Sequence, residues 1–542
     1  MTDYPSPTPP PPPPGEDDHV CPPDTSTPED QFVEPWDRVD SVHSGHNTTP
    51  HQHLGPRSLY EDANHRQYSS SPIMMYVAIG LAVLFLMGIQ AVVPLLLHRG
   101  SGNGDPLSSM QIRMQSKLAV SLKQLAQAAP TTPSSQANQF DSAMANVDAS
   151  ATTSQDIIYA AIVAGELYGA QQAIDRLEIE REWLQEDFDP SSQKYLVQQV
   201  DALLAFYQSK LAIDNNNPQQ ATTPSTSVPS DIIPKPFPQN WFGKLAASYG
   251  QPQDAPLRKQ IASSALLMLV AMAVFGIGIV LFAFVGLVLF IITVILVSTG
   301  KFKRKLIQPL APAKPYIESA AIFLWLMIAL SFAIIPIAYV TGIELQWVII
   351  ASLPFAILWP LLRKISFQNM RHSLGLSRGP SGSFFAEVGC GIYGYIAGLP
   401  VIAVGMVCTI IISLIMSALF PDAYRGVEHP IQEQMQNASF FTIIYLYMLT
   451  TVWAPLVEET IFRGALFGFL RTRSGFWISA IISSFIFAAI HPQGVAGIPA
   501  LMCIAFVLAW LREWRSSLIA SMTAHALHNF IITTILVVLL TG

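Results

Sequence analysis

The chain reads as an all-α, polytopic transmembrane helical bundle of about nine spans, with a small soluble helical module and a disordered N-terminal tail. Three observations predict this class. Hydrophobic residues make up 51% of the 542 residues and charged residues only 12%, about half the charged share of soluble domains. Apolar runs long enough to cross a ~30 Å hydrocarbon layer as helices recur along the chain, almost without a break from Ala262 onward. Ordinary soluble composition is confined to the first 72 residues and to one insertion, 100–258.

Residues 1–72 carry an unbroken proline run, Pro9 to Pro14, and then an acidic stretch rich in Ser, Thr, His and Pro. Such a segment buries too little apolar surface to offset the entropy of ordering it, so it reads as a solvated tail. Its acidic residues supply much of the formal charge of -7, and no basic patch suggests a nucleic acid partner. The first residues lack a basic stretch followed by an apolar core, so no cleavable signal peptide is expected. Ile73 to Leu97 is the first run long enough to span.

Helical patterns near 107–129, 155–187 and 191–213, with a Pro/Thr/Ser/Asn linker at about 214–236, make 100–258 a small helical module. The stretch Trp241 to Ala246 fits equally a helix packed on that module or one lying on the membrane surface. From Ala262 the spans fall near 262–297, 317–340, 346–362, 388–419, 440–470, 475–491, 495–511 and 516–540. Residues 262–362 hold the first three of these spans, and the polar residues considered below as a site lie in the spans that follow. The run 262–297, about 54 Å long if straight, is either one helix reaching beyond the bilayer or two short halves meeting near Gly276 and Gly278.

Short-loop charge favours the single pass. One side then receives Lys301, Lys303, Arg304, Lys305, Lys314, Arg363, Lys364, Arg371, Arg378, Arg471, Arg473, Arg512 and Arg515, whereas the other short loops hold only Arg425. Positive residues mark the cytoplasmic face. The expectation is a multi-pass protein of a bacterial plasma membrane, with a cytoplasmic N-terminus and the 100–258 module outside. Cys390, Cys408 and Cys503 lie in apolar segments and Cys21 in the tail, without metal-ligand or redox spacing, and are expected to behave as small buried apolar residues.

Glu458-Glu459 and Arg463 interrupt an apolar run, and the same third of the chain carries His491, His525 and Asn529. Ionisable groups inside a membrane are costly and serve a site by default. Counted from the basic ends of their helices, Glu458, His491 and His525 lie about 15–27 Å from one face, so they can share a layer. Glu459 and Arg463 are i,i+4 neighbours able to pair, which leaves Glu458, turned by about 100°, as the freer carboxylate. His525 and Asn529 are also i,i+4 and can face one small volume. Hydrolysis without a nucleophilic Ser or Cys needs a base for water, an orienting partner and oxyanion donors. These residues match that need in number and type. His528, by contrast, reads as a helix–helix hydrogen-bond partner, and the Gly464/Gly468 and Gly394/Gly398 pairs as close helix packing.

The segments Glu458-Glu459 with Arg463, Phe487 with His491, and His525 with Asn529 resemble the motifs of the CPBP family. That family of intramembrane proteases includes the type II CAAX prenyl endopeptidases and the bacterial Abi or bacteriocin-immunity proteins. Ala454-Pro455, Phe462-Arg463-Gly464, His429-Pro430 and Leu374-Gly375-Leu376 resemble its weaker features. The resemblance spans about 365–541 and implies that Glu458 and His491 activate water, that His525 and Asn529 form an oxyanion hole, and that Glu459 and Arg463 hold the site together. A peptide or protein substrate, lipid-modified or not, and membrane lipid are the implied partners. No cofactor is required, although a zinc ion held by Glu458, His491 and His525 stays open in the absence of an HExxH pair. A transporter would also put carboxylates and histidines at mid-membrane, yet no internal repeat is seen. A silent immunity or scaffold protein is the remaining alternative.

Overall fold

Apolar runs bounded by proline, serine and glycine signals become helices in the computed structural model, which describes residues 72–97, 106–128, 133–186, 190–216, 235–302, 306, 313–341, 351–419 and 439–540. The expected tail, the 214–236 linker, Cys21, Arg425, His429-Pro430 and Lys303 to Lys305 fall wholly or largely outside these residues. Among the described residues all regular structure is helical.

The module begins after α1 (Ile73–Leu97) and contains α2 (Pro106–Ala128), α3 (Pro133–Ser150), α4 (Ser154–Tyr168), α5 (Ala170–Glu186), α6 (Pro190–Asn216) and α7 (Trp241–Ala247). Two differences from the sequence reading appear. Helix α3 is additional to the expected patterns, because its Asn, Gln, Ser and Ala face carries little apolar periodicity. The single pattern 155–187 is two helices, broken at Gly169, whose φ of 106° is open to glycine and strained for other residues. The ambiguous stretch at Trp241 belongs to the module. Asn240 caps it by accepting from the N–H groups of Phe242 and Gly243, and Phe242 stacks on Tyr159 at 4.0 Å between ring centroids.

Helix α8 (Pro256–Ser298) is one continuous helix of 43 residues, roughly 65 Å long, so Gly276 and Gly278 do not divide it. Its first turns are part of the module. Ile261 and Ala265 enter the module core, and Arg258 grips Glu166 of α4 through two bonds of 2.6 and 2.8 Å, with Lys123 at 3.0 Å from the same carboxylate. Further along, Ile277, Val280 and Phe284 are exposed, as suits a helix surrounded by lipid.

The remaining elements are α9 (Lys314–Thr341), α10 (Phe367–Leu374), α11 (Phe384–Leu419), α12 (Phe440–Arg471), α13 (Phe476–Ala489), α14 (Gly494–Arg515) and α15 (Leu518–Leu540). Among the described residues five helices are long and apolar enough to cross a membrane, namely α8, α11, α12, α14 and α15. This is fewer than the nine expected. The segment 346–362 forms, in its described part, a 3₁₀ turn Leu353–Leu358 followed by a single α turn Trp359–Leu362, since Pro354 and Pro360 each remove a helix donor. The segment 475–491 forms only the 14-residue α13, about 21 Å long.

Helix α11 packs along α14 and α15. A Cβ at Gly391, Gly394 or Gly398 would strike Thr523, Leu511 or Val507, so this glycine stripe permits the close approach. Gly464 likewise sits against Leu374, but Gly468 has nothing within 4 Å, and the expected close contact of that pair rests on Gly464 alone. His528 bonds the Tyr395 hydroxyl at 3.3 Å across the same interface. The thiols are less buried than expected: Cys408 is exposed and Cys390 and Cys503 are half-buried. At one end of the bundle Arg471 pairs with Glu513 at 2.8 Å and Arg515 with Glu387 at 2.6 Å.

Within the module, Lys117 is buried under the Trp241 ring, 5.8 Å from its centroid. Burial, and then the nearby Arg113 charge, push its ammonium down from 10.5 to about 8. Between these values the unfolded chain binds more protons, so module stability rises with pH from about 8 to 10.5; below 8 both states are protonated and the slope vanishes. Thermal unfolding of the module should show this slope, and Lys117→Met should abolish it and add about 1–3 kcal/mol at pH 7.

Candidate active site

Helix α12 is not a uniform α-helix. It runs as α from Phe440 to Met448, widens to π turns over Leu449–Trp453, returns to α over Ala454–Glu459, widens again over Thr460–Leu466 and ends as α over Phe467–Arg471. Pro455 accounts for the first widening. It has no N–H and its ring would press on the carbonyl four residues back, and the wide turn relieves both. Each π turn inserts an extra residue and so rotates the helix on its N-terminal side by about 100° against the helix on its C-terminal side. The two glutamates lie in the short α stretch between the widenings.

Glu459 and Arg463 are fully buried and pair at 2.9 Å. The guanidinium also donates to the Ala505 carbonyl of α14 at 3.2 Å and lies 4.3 Å above the Phe487 ring of α13. The Glu459 oxygen that meets Arg463 also lies 3.0 Å from Nδ1 of His525 on α15. One carboxylate thus joins α12 to α15, and its arginine joins α12 to α13 and α14.

Glu458 points elsewhere. Its Oε2 is 3.8 Å from Nε2 of His491 and 3.9 Å from Nε2 of His525. Glu458 and His491 each keep 21% of their side-chain surface accessible, against 6% for His525 and none for Glu459. The freer carboxylate is therefore the one left accessible. His491 lies just past α13 instead of within a helix as expected, because a residue followed by proline, here Pro492, avoids the α conformation. Its Nδ1 is 2.6 Å from the Phe487 carbonyl, which closes the end of α13. A carbonyl only accepts, so His491 carries a proton on Nδ1; the Glu459 carboxylate imposes the same on His525. In both rings Nε2 is the nitrogen left for chemistry, and both face Glu458.

Asn529 is one turn beyond His525, and its Nδ2 donates to the Thr450 carbonyl at 2.8 Å. That carbonyl sits in the first wide turn, close to Pro455, which offers no donor. One amide N–H is spent there and the other remains.

Among the described residues no group of three His, Cys, Asp or Glu side chains is set to hold a metal ion. A tetrahedral zinc bound at ~2.0–2.1 Å places its ligand atoms about 3.4 Å apart, closer than the 3.8 and 3.9 Å between Glu458 and the two imidazoles. The three side chains as they stand do not fit zinc.

The family model described as Rce1-like, type II CAAX prenyl endopeptidase, matches residues 440–531. The similarity is confined to this segment. No curated protein and no solved structure matches the chain. The Rce1-like segment begins at the first residue of α12 and ends within α15, two residues after Asn529. It takes in Glu458, Glu459, Arg463, His491, His525 and Asn529 and is narrower than the 365–541 expected; α10 and α11 lie outside it although α11 packs on α14 and α15. The match makes this segment similar to a protease family, and five helices among the described residues are long and apolar enough to cross a membrane.

Arg512 has the appearance of a loop charge in the sequence, but the fold buries it to 1% exposure. Its spacing of seven from Ala505 and four from Leu508, both buried, puts it on the apolar face of α14, which is a signal present in the sequence.

Removing one partner of a buried ion pair leaves the other charge uncompensated and costs about 3–5 kcal/mol. Glu459→Ala and Arg463→Met should each lower thermal stability by that order in detergent, whereas Glu458→Gln, at a half-open position, should change it by less than about 1 kcal/mol.

Proposed function

We propose that the chain is an intramembrane endopeptidase in which Glu458 activates water for attack on a peptide carbonyl. The observation that carries this is the convergence of one accessible carboxylate oxygen with two imidazole Nε2 atoms, at 3.8 and 3.9 Å, inside a segment of protease-family type. Water between Glu458 and His491 donates one proton toward the carboxylate and the other toward His491 Nε2, which orients its lone pair for attack. His525 serves in its doubly protonated form: Glu459 holds Nδ1–H, and Nε2–H donates to the developing oxyanion. The remaining N–H of Asn529 is the second donor. The proton taken by Glu458 passes to the leaving amine, so that water is consumed and two peptide ends are released.

The substrate is a peptide or protein that enters the bundle from the membrane, with a lipid-modified C-terminus as one form to be tested. No metal is required. The basic end of the bundle, with Arg471, Arg473 and Arg515, faces the cytoplasm, and the module stands outside. A bulky thiol reagent that does not cross membranes should therefore label an added cysteine at Ser142 and spare one at Thr472; the reverse pattern would invert the orientation.

The purified protein should cleave a peptide library in detergent, and Glu458→Gln should reduce turnover by about 10³-fold with the protein still monodisperse. Chelator should leave cleavage unchanged. The same peptide with and without a thioether-linked prenyl group sorts the substrate class. Undiminished cleavage by Glu458→Gln would remove the assigned base, and a wild-type protein that cleaves nothing while performing unchanged in cells without His491 and His525 would be a scaffold.

A further inference from the structure

The second wide turn of α12 leaves a carbonyl without a partner in its own helix. Phe467 N–H bonds the Phe462 carbonyl five residues back, and the helix then returns to four-residue spacing over Phe467–Arg471. The change of step skips the carbonyl of Arg463. Buried backbone acceptors need a donor from somewhere, all the more in lipid, and here it comes from another helix. Arg512 of α14 donates Nε to the Arg463 carbonyl at 3.4 Å and Nη2 to the Ser373 carbonyl of α10 at 3.2 Å.

The space for that guanidinium is made by Gly375. This residue ends α10 in the left-handed conformation, with φ of 81°, and a Cβ on it would overlap the Arg512 guanidinium. The loop that carries Gly375 is fixed to the start of α15 by Leu518 N–H on the Gly375 carbonyl at 2.9 Å and by the Ser517 hydroxyl on the Ser377 carbonyl at 2.6 Å. Arg512 is thus seated between two backbone carbonyls of separate elements, among the largest fully buried side chains of the protein. Among the described residues it makes no ion pair within bonding distance, so its position answers to those carbonyls.

We infer that Arg512 is a positioning residue for the site: it satisfies the carbonyl that the second π turn skips, and so holds Glu458, Glu459 and Arg463 in the rotation that meets His491 and His525. The inference rests on the endopeptidase reading above. Were the skipped carbonyl left bare, the turn would tighten to regular α, and the part of α12 that carries the glutamates would rotate by about 100° against the rest. The glutamates would then leave the two imidazoles. Arg512 acts through the backbone and touches none of the reacting atoms. It also accounts for the Leu374-Gly375-Leu376 segment, which is distant in sequence from the acidic and histidine motifs.

The test uses the full-length protein in detergent, with kcat, KM and Tm measured on a peptide that the wild type cleaves. Arg512→Gln should lower kcat by about 10³-fold, the scale of losing the base from the site, with KM within about threefold. Arg512→Lys, whose single ammonium reaches one carbonyl instead of two, should recover part of the loss. Gly375→Ala, which displaces the guanidinium from the loop side, should also lower kcat, and the double variant should be no worse than Arg512→Gln alone, because both changes act through one contact. Wild-type kcat in Arg512→Gln, additive losses in the double variant, or kcat falling only in step with the folded fraction would each overturn the inference. Failure of the underlying reading is separate: it shows as an inactive wild type or an active Glu458→Gln protein, and the Arg512 role falls with it.

Discussion

The buried Glu459 carboxylate is the point on which the packing of residues 440–531 turns. A bare carboxylate in this environment would cost several kcal/mol, so it must be surrounded, and its partners come from different directions. Arg463 reaches it from one turn further along α12, and His525 from α15. Arg463 in turn needs the Ala505 carbonyl and the Phe487 ring. Satisfying one charge therefore fixes the mutual placement of four helices. The same arrangement leaves Glu458, the adjacent residue, on the accessible side. Two neighbouring carboxylates thus differ in surroundings: the buried one joins the helices and the accessible one faces the imidazoles.

The wide turns of α12 are a second expression of the same constraint. Within lipid, backbone groups cannot borrow water, so any departure from regular α-helix must be compensated by protein. Helix α12 departs twice and is compensated twice, by Asn529 at the Thr450 carbonyl and by Arg512 at the Arg463 carbonyl. Polar side chains that look like isolated intrusions into apolar helices are in this sense the cost of bending one helix around a site. The arrangement also explains why α14 and α15 are joined by only Ser516 and Ser517, with Ser516 in the left-handed region at φ of 52°: the two donors must approach α12 from adjacent helices.

Away from the site, the module and the bundle share a helix. The first turns of α8 are packed into the module core and gripped through Arg258 and Glu166, while its later turns present aliphatic and aromatic side chains outward. A rigid continuous helix of this length passes the orientation of the module into the bundle without a flexible joint at the point where the composition changes. The apolar run starting at Ala262 is therefore a boundary of solvent and not of structure.

Legibility from the sequence depends on the range of the interaction. The all-α class, most helix positions, the Glu459–Arg463 pair and the freer standing of Glu458 depend on hydropathy, periodicity and i,i+4 spacing, which are local and survive in any tertiary context. Hydropathy registers Pro354 and Pro360 as apolar without registering the donors they remove, so it reads a long helix where the described residues form short turns. It also extends a helix through His491, although the proline after that residue ends the helix, and it gives Arg512 the look of a surface charge because charge in sequence does not reveal which carbonyl it will meet. Which residue types lie within reach of one another along each helix was thus already dictated by the order of amino acids. The wide turns, the crossing of Arg512 and Asn529 to α12, and the meeting of Glu458 with two imidazoles arise only when the helices pack, because each depends on backbone groups left unpaired on one helix being satisfied by another.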